Sequence, residues 1–430
     1  MQFCNFEFMK NFLFLAVTFL LLSACSSKKS LVSKSFDKQL SSSFYKNQFT
    51  GVLVIDAETK DTIYTNNSDK YFIPASNTKI FTLFAALKTL PAQIPAIKYI
   101  KTNDILYFEG TADPSFLHPY LKDSTALNFL QNQSNLVFVA NNFQDEKYGP
   151  GWAWDDYQWY YSAEKSALPI HGNVVMTYKN PKLIVSPPYF KDSVLEMTHT
   201  NNRNETSNRF YYPPTKKDTL ETPFITSDQT TRSILENLLS KKVGIASTMP
   251  SGEKGTLYGS NADSLYVRMM HESDNFIAEQ LLLVASGVLT DTLNGKLTRD
   301  YILENELKDL KQEPRWVDGS GLSRYNLFTP QNMVSVLDQL YSLVSQERLF
   351  SIFPAGGLSG TLKNRFAGDE KPYVFAKSGS LSNNYCLSGY LIANSGKVLI
   401  FSFMNNHFKQ STSEERNRLE QMLQTLRDTY

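Results

Sequence analysis

The stretch from about residue 95 to 260 constrains the fold most, because it separates two ends that read as parts of one sheet. Its short strand-like runs (Ile105 to Phe108, Leu136 to Ala140, Val174 to Tyr178, Leu183 to Val185) are broken by turns such as Pro187-Pro188 and Pro213-Pro214. That texture predicts a mainly β insert. Before it, Gly51 to Asp56 and Thr62 to Thr65 read as strands around the turn Glu58-Thr59-Lys60-Asp61. Lys79 to Leu90 then sets Ile80, Phe81, Leu83, Phe84, Leu87 and Leu90 at helical spacing, and Pro91 ends the helix. Beyond the insert, helical patterning returns at Leu265 to Val284 and Met333 to Leu343. Val374 to Lys377 reads as a strand, and Cys386 to Ile392 and Val398 to Met404 as a hairpin around Asn394-Ser395-Gly396. The last helix opens with two overlapping capping-box patterns, Ser411 with Glu414 and Thr412 with Glu415. Packing these terminal strands and helix on the first hairpin predicts an α+β domain, an antiparallel sheet flanked by helices, interrupted by the insert.

The first residues are not part of that fold. Phe12 to Leu22 is an apolar run of signal-peptide length, too short to span as a mature transmembrane helix. It leads into Leu22-Ser23-Ala24-Cys25, which resembles the lipobox of bacterial lipoproteins and makes Cys25 the expected lipidation site. Met9-Lys10-Asn11 supplies the basic segment, so Met9 is a candidate start beside Met1. The expected boundaries are 1–25 for the signal peptide, 26–95 and 261–430 for the two parts of the main domain, and 96–260 for the insert. With Cys4 in the signal and Cys25 lipidated, Cys386 is left alone, so no internal disulfide is expected. The five histidines lack the H-E-x-x-H spacing and there is no cysteine cluster, so neither a metal nor another cofactor is expected. A formal net charge of +1 gives no electrostatic footing for nucleic acid.

Three short motifs carry chemistry: Ser76-Asn77-Thr78-Lys79, Ser273-Asp274-Asn275 and Lys377-Ser378-Gly379. A serine hydroxyl is a weak nucleophile and needs a base within hydrogen-bond reach. At a helix start, i and i+3 share a face, so the Lys79 amine can point back at Ser76. A lysine acts as a base only when its pKa is depressed, by burial and by a second cation, for which Lys377 is the candidate. Ser273 can relay a proton to the leaving amine, Asn275 can hold the substrate amide, and Lys377 with Ser378 can bind a terminal carboxylate. Alone, each of the first two motifs is weak. Ser26, Ser35, Ser43, Ser162 and Ser251 also have a lysine three residues on, and Ser382-Asn383-Asn384 repeats Ser-x-Asn. Only Ser76 follows Pro74-Ala75 and precedes an apolar helix, and Lys-[Ser/Thr]-Gly occurs once, on an expected strand.

All three motifs occur in penicillin-binding proteins and serine β-lactamases. The chain resembles the penicillin-binding protein 4 type of D-alanyl-D-alanine carboxypeptidase/endopeptidase, the low-molecular-mass class C family. The likeness extends to Gly110-Thr111-Ala112-Asp113-Pro114, Gly151-Trp152-Ala153-Trp154-Asp155-Asp156, Asp318-Gly319-Ser320-Gly321-Leu322-Ser323-Arg324, Gly360-Thr361-Leu362-Lys363-Asn364-Arg365-Phe366 and Leu387-Ser388-Gly389-Tyr390. The long insert between the first and second motifs is itself a mark of that family. The resemblance implies a β-lactamase/transpeptidase-like domain and oxyanion donors in the N–H groups of Ser76 and Ser380. It implies peptidoglycan stem peptides as substrates, β-lactams as covalent inhibitors, and a periplasmic location on a lipid anchor. Ser378 stands where the family usually has threonine, and both keep the hydroxyl. Asp155 either reads a side-chain amine of the stem peptide or caps a turn beside the tryptophans.

Rival functions share the first chemical step. A β-lactamase needs an efficient deacylating base, usually a glutamate, and none is identifiable by position. A penicillin sensor typically carries a membrane-spanning signalling segment, and no run after residue 25 is apolar for long enough. Carboxypeptidase, endopeptidase and transpeptidase outcomes are not separated by the motifs.

Overall fold

A computed structural model describes residues 28–430, and the lipobox Cys25 lies outside them. The described chain forms two compact units. It opens in the first unit with helix α1 (residues 28–40) and the hairpin β1 (Phe49–Asp56) and β2 (Thr62–Asn66). From Ile73 to Leu327 it builds the second unit, which Val344–Phe353 rejoins. That unit holds, in chain order, α2 (Lys79–Thr89), β3 (Gln93–Thr102), β4 (Ile105–Gly110), α3 (Thr125–Gln131) and β5 (Asn135–Val139). It continues with β6 (Val174–Asn180), β7 (Lys182–Ser186), β8 (Val194–Leu195), β9 (Phe210–Tyr211) and β10 (Leu220–Pro223). Then come α4 (Asp228–Leu239), β11 (Val243–Ala246), β12 (Gly255–Asn261), α5 (Ala262–His271), α6 (Asn275–Thr290) and α7 (Gly295–Tyr301). The chain returns to the first unit with α8 (Pro330–Leu343), gives α9 (Gln346–Ile352) to the second, and closes the first with β13 (Val374–Leu381), β14 (Asn384–Ile392), β15 (Val398–Asn406) and α10 (Thr412–Thr429).

The first unit is an antiparallel sheet of order β13-β14-β15-β1-β2. β15 lies along β1 from Phe49↔Asn406 to Asp56↔Leu399, so the C-terminal hairpin completes a sheet begun 350 residues earlier, as Val52 and Phe403 pair directly. Strand β1 is central and buried on both faces, which is why Val52, Leu53 and Val54 run together without alternating. Val52, Val54, Leu387, Leu391, Phe401 and Phe403 join Val32 and Phe36 of α1 and Leu419, Met422 and Leu426 of α10 in one core. Tyr390, of opposite parity on β14, instead donates its hydroxyl to the Leu337 carbonyl of α8 (2.8 Å). Helices therefore cover both faces. Of the two overlapping capping patterns, the chain uses the first: Ser411 is the N-cap and Glu414 reaches back to its N–H.

In the second unit, α2 packs against α6, a helix apolar on nearly every side and buried from Phe276 to Gly287. A five-stranded sheet of order β11-β5-β4-β3-β12 stands with smaller sheets of three and two strands. The strands expected in 96–260 are present, but β4, β5 and β11 run parallel. Parallel neighbours need crossover connections, and helices α3 and α4 arrive on those connections. Leu130, Ile234, Leu235 and Leu239 from these helices pack with Leu106, Phe108, Leu136 and Phe138 of the sheet. The compact units are drawn elsewhere than the boundaries read from sequence: residues 73–95 and 261–327 group with the 96–260 segment.

Candidate active site

The second motif sits at a break in what the sequence reads as one helix. α5 stops at His271 and α6 starts at Asn275, with Ser273 between them at φ +57°. A non-glycine residue in that region stores strain, and such residues gather at functional sites. Asp274 makes the break affordable: its Oδ1 caps α6 by accepting the Ile277 N–H (3.0 Å), and its Oδ2 accepts from Arg268 Nε (3.0 Å). The first motif is strained in the same way. Ala75 has φ +48° and opens a 3-10 turn, Ala75–Thr78, that runs straight into α2.

These two breaks bring Ser76, Lys79 and Asn275 together. Lys79 is fully buried, and its Nζ lies 3.1 Å from Ser76 Oγ, 2.6 Å from Asn275 Oδ1 and 2.7 Å from the Ser320 carbonyl oxygen. Asn275 Nδ2 donates to the Tyr161 carbonyl oxygen (3.0 Å), which can only accept. That contact fixes the amide, so Asn275 presents its oxygen to Lys79. Burial pushes the Lys79 ammonium down from 10.5 to about 8, against the opposing pull of Asp318, Glu279 and Asp274. A neutral amine has two N–H bonds and one lone pair. Two neighbours here are obligate acceptors, and the lone pair is left for the Ser76 hydroxyl.

Ser320 belongs to a loop that the sequence marks only as glycine-rich. Asp318 organises it: Oδ1 accepts from the Gly321 N–H (2.8 Å) and Asn326 Nδ2 (2.7 Å), and Oδ2 from the Ser323 N–H (2.7 Å) and Trp152 Nε1 (2.9 Å). Gly321 has φ +81°, and a Cβ there would lie 1.9 Å from the Ala75 carbonyl oxygen, so only glycine allows the loop to approach the Ala75–Thr78 turn. Asp318, Tyr161 and the Ser320 carbonyl are parts of the site that the motifs do not reveal. Asp155 is exposed on the turn Trp154–Gln158, whereas Asp156 accepts the Tyr161 hydroxyl (2.8 Å).

The third motif belongs to the first unit. Lys377, Ser378 and Gly379 are buried on β13, paired with Ser388, Leu387 and Cys386 of β14. Lys377 Nζ donates to the Ser378 carbonyl oxygen (2.8 Å), and Ser378 Oγ donates to Thr361 Oγ1 (2.8 Å). Thr361 lies in the Gly360-Thr361-Leu362 stretch noted in the sequence, without a role assigned there. Ser380 is exposed, its hydroxyl 3.4 Å from Arg416 Nη2. Among the described residues no group of His, Cys, Asp and Glu is arranged to hold a metal ion.

Known proteins resemble this chain over most of its length. The chain is 25% identical over 421 residues to D-alanyl-D-alanine carboxypeptidase DacB of Haemophilus influenzae, covering 85% of this chain and 86% of that one. It is 24% identical over 450 residues to a D-alanyl-D-alanine carboxypeptidase of Actinomadura, covering 90% and 83%. Its fold matches the crystal structure of penicillin-binding protein 4 from Haemophilus influenzae with a TM-score of 0.71 at 24% identity, over 89% of this chain and 96% of that one. The β-lactam complex of that protein matches with a TM-score of 0.62 at 21% identity, over the same shares. The model of the D-Ala-D-Ala carboxypeptidase 3 (S13) family covers residues 32–251 and 239–429, and the chain belongs to that family.

Proposed function

We infer that the chain is a serine D,D-peptidase that cleaves D-Ala-D-Ala termini or D-Ala cross-links of peptidoglycan through an acyl-enzyme on Ser76. The observation that carries this reading is the three-sided setting of Lys79 Nζ, with its acidity raised by burial to about 8. Lys79 takes the Ser76 proton as Oγ attacks the substrate carbonyl. The N–H groups of Ser76 and Ser380 are assigned to the oxyanion. The tetrahedral intermediate collapses as Ser273 passes a proton to the departing amine, which leaves as D-Ala or as the cross-linked partner. Water then attacks the ester and Lys79 again takes the proton. Asn275 is assigned to the substrate amide, and Lys377, Ser378 and Gly379 to the terminal carboxylate end. The exposed carboxylate of Asp155 is assigned to an amine on the stem peptide. A β-lactam would acylate Ser76 by the same attack and stay bound as an ester. Lipidation of Cys25 would hold the enzyme on a membrane in the periplasm.

Labelling purified protein with a fluorescent penicillin tests the reading. Covalent label on the wild type and none on Ser76→Ala supports it. A folded wild type that takes no label sinks it.

A further inference from the structure

Glu279 stands one helical turn beyond Asn275 on α6, so the two side chains share a face. Its carboxyl is only 3% exposed, and Oε1 accepts the Ser320 N–H at 2.7 Å. The carbonyl of that same Ser320 accepts from Lys79 Nζ at 2.7 Å. Ser320 is therefore held from both sides: by Glu279 at its N–H, and through the next peptide, whose Gly321 N–H is held by Asp318 at 2.8 Å. Glu279 and Asp318 both line a cavity of about 560 Å³, together with Asp145, Lys165, Lys296 and Arg299. Lys165, itself buried, pairs with Asp145 at 3.1 Å.

We propose that Glu279 is a positioning residue for the general base: through the Ser320 peptide it fixes the acceptor on Lys79, and its negative charge favours the ammonium form of Lys79. The proposal rests on the peptidase reading above. The groups facing Glu279 are Asp318 on the loop and Lys165, and those facing Lys79 are Asp318, Glu279 and Asp274. Burial and the neighbouring Asp318 carboxylate raise the Glu279 pKa above its ordinary value, while Lys165 pulls it down. As an anion, Glu279 favours the ammonium form of Lys79, so removing its charge favours the free amine. Glutamine keeps an oxygen for the Ser320 N–H and loses only the charge, whereas alanine loses both.

The test follows the rate of Ser76 acylation by benzylpenicillin against pH in the wild type, Glu279→Gln and Glu279→Ala. The expected result is a Gln variant that still acylates but whose rate rises at lower pH than the wild type. The Ala variant is expected to acylate about tenfold or more slowly, because the acceptor on Lys79 is no longer fixed. A Gln profile that rises at the wild-type pH, whatever its absolute rate, overturns the proposal and leaves the peptidase reading standing. A wild type that is not acylated at any pH overturns both. Should the Ala variant not fold, the Gln profile alone decides.

Discussion

Replacing Lys79 by methionine keeps a chain of similar length and removes the titrating group. In the folded protein burial holds the Lys79 ammonium near about 8, while in the unfolded chain the same group titrates near 10.5. Below about 8 both states carry the proton, and the folded state bears the full cost of a buried charge. Between the two values the unfolded chain holds a proton that the folded protein has released, so stability rises with pH across that window. A drop from 10.5 to about 8, at ~1.4 kcal/mol per pH unit, is worth about 3 kcal/mol. The Met variant lacks this slope. Urea unfolding of both proteins at about pH 7 and about pH 10 is the assay, and comparing wild type with variant at each pH cancels the titrating groups that do not interact with Lys79. The stability of wild type relative to Lys79→Met is expected to grow by about 2 to 3 kcal/mol over that interval. A difference that stays constant with pH would refute the depressed lysine, and with it the step in which Lys79 serves as base at neutral pH.

Two further substitutions probe the supports of the site and of the sheet. Gly321→Ala is expected to lower both the melting temperature and the rate of penicillin acylation, since its Cβ would meet the Ala75 carbonyl oxygen at 1.9 Å and a left-handed alanine costs about 1 to 2 kcal/mol by itself; an unchanged rate would mean the loop moves freely from the nucleophile's turn. Ser411→Ala removes the N-cap of α10 and is expected to cost about 1 kcal/mol in urea unfolding, with no loss of acylation by a normally folded fraction; equal stability would mean that Thr412 takes over the cap.

What the sequence makes legible is what local pattern controls. The first hairpin, α2, the C-terminal hairpin and the capped last helix each follow from residues within a few positions of one another, and their observed bounds differ from the expected ones by at most two residues. The parallel pairing of β4, β5 and β11 was hidden because parallel neighbours are set by crossovers far apart in the chain. The short α3 was masked by its polar flanks, and the break between α5 and α6 by apolar spacing that runs through it. Of the three motifs, the first two meet in one hydrogen-bonded cluster, as Lys79 reaches both Ser76 and Asn275. The residues that hold Lys79 and Asn275 carried no assigned role, since Tyr161 and Ser320 act through their carbonyl oxygens and Asp318 was quoted only for the family likeness. Glu279 escaped as well, although a charged residue one turn beyond Asn275 in so apolar a helix was a signal that could have found it.

The pairing of β1 with β15 also bears on how the chain comes to be folded. β1 is made among the first residues and waits for a partner that is among the last, Leu399 to Asn406. A chain emerging from the ribosome therefore holds the second unit's helices and sheets complete while the first unit's sheet still lacks its middle. Loops of this length close slowly, and an apolar strand such as Val52-Leu53-Val54, with its β15 edge still open, attracts wrong partners while it waits. Truncation a few dozen residues before the end removes β15 and leaves the hairpin of β1 and β2 unanchored, even though every residue of the Ser76–Lys79–Asn275 cluster is still present.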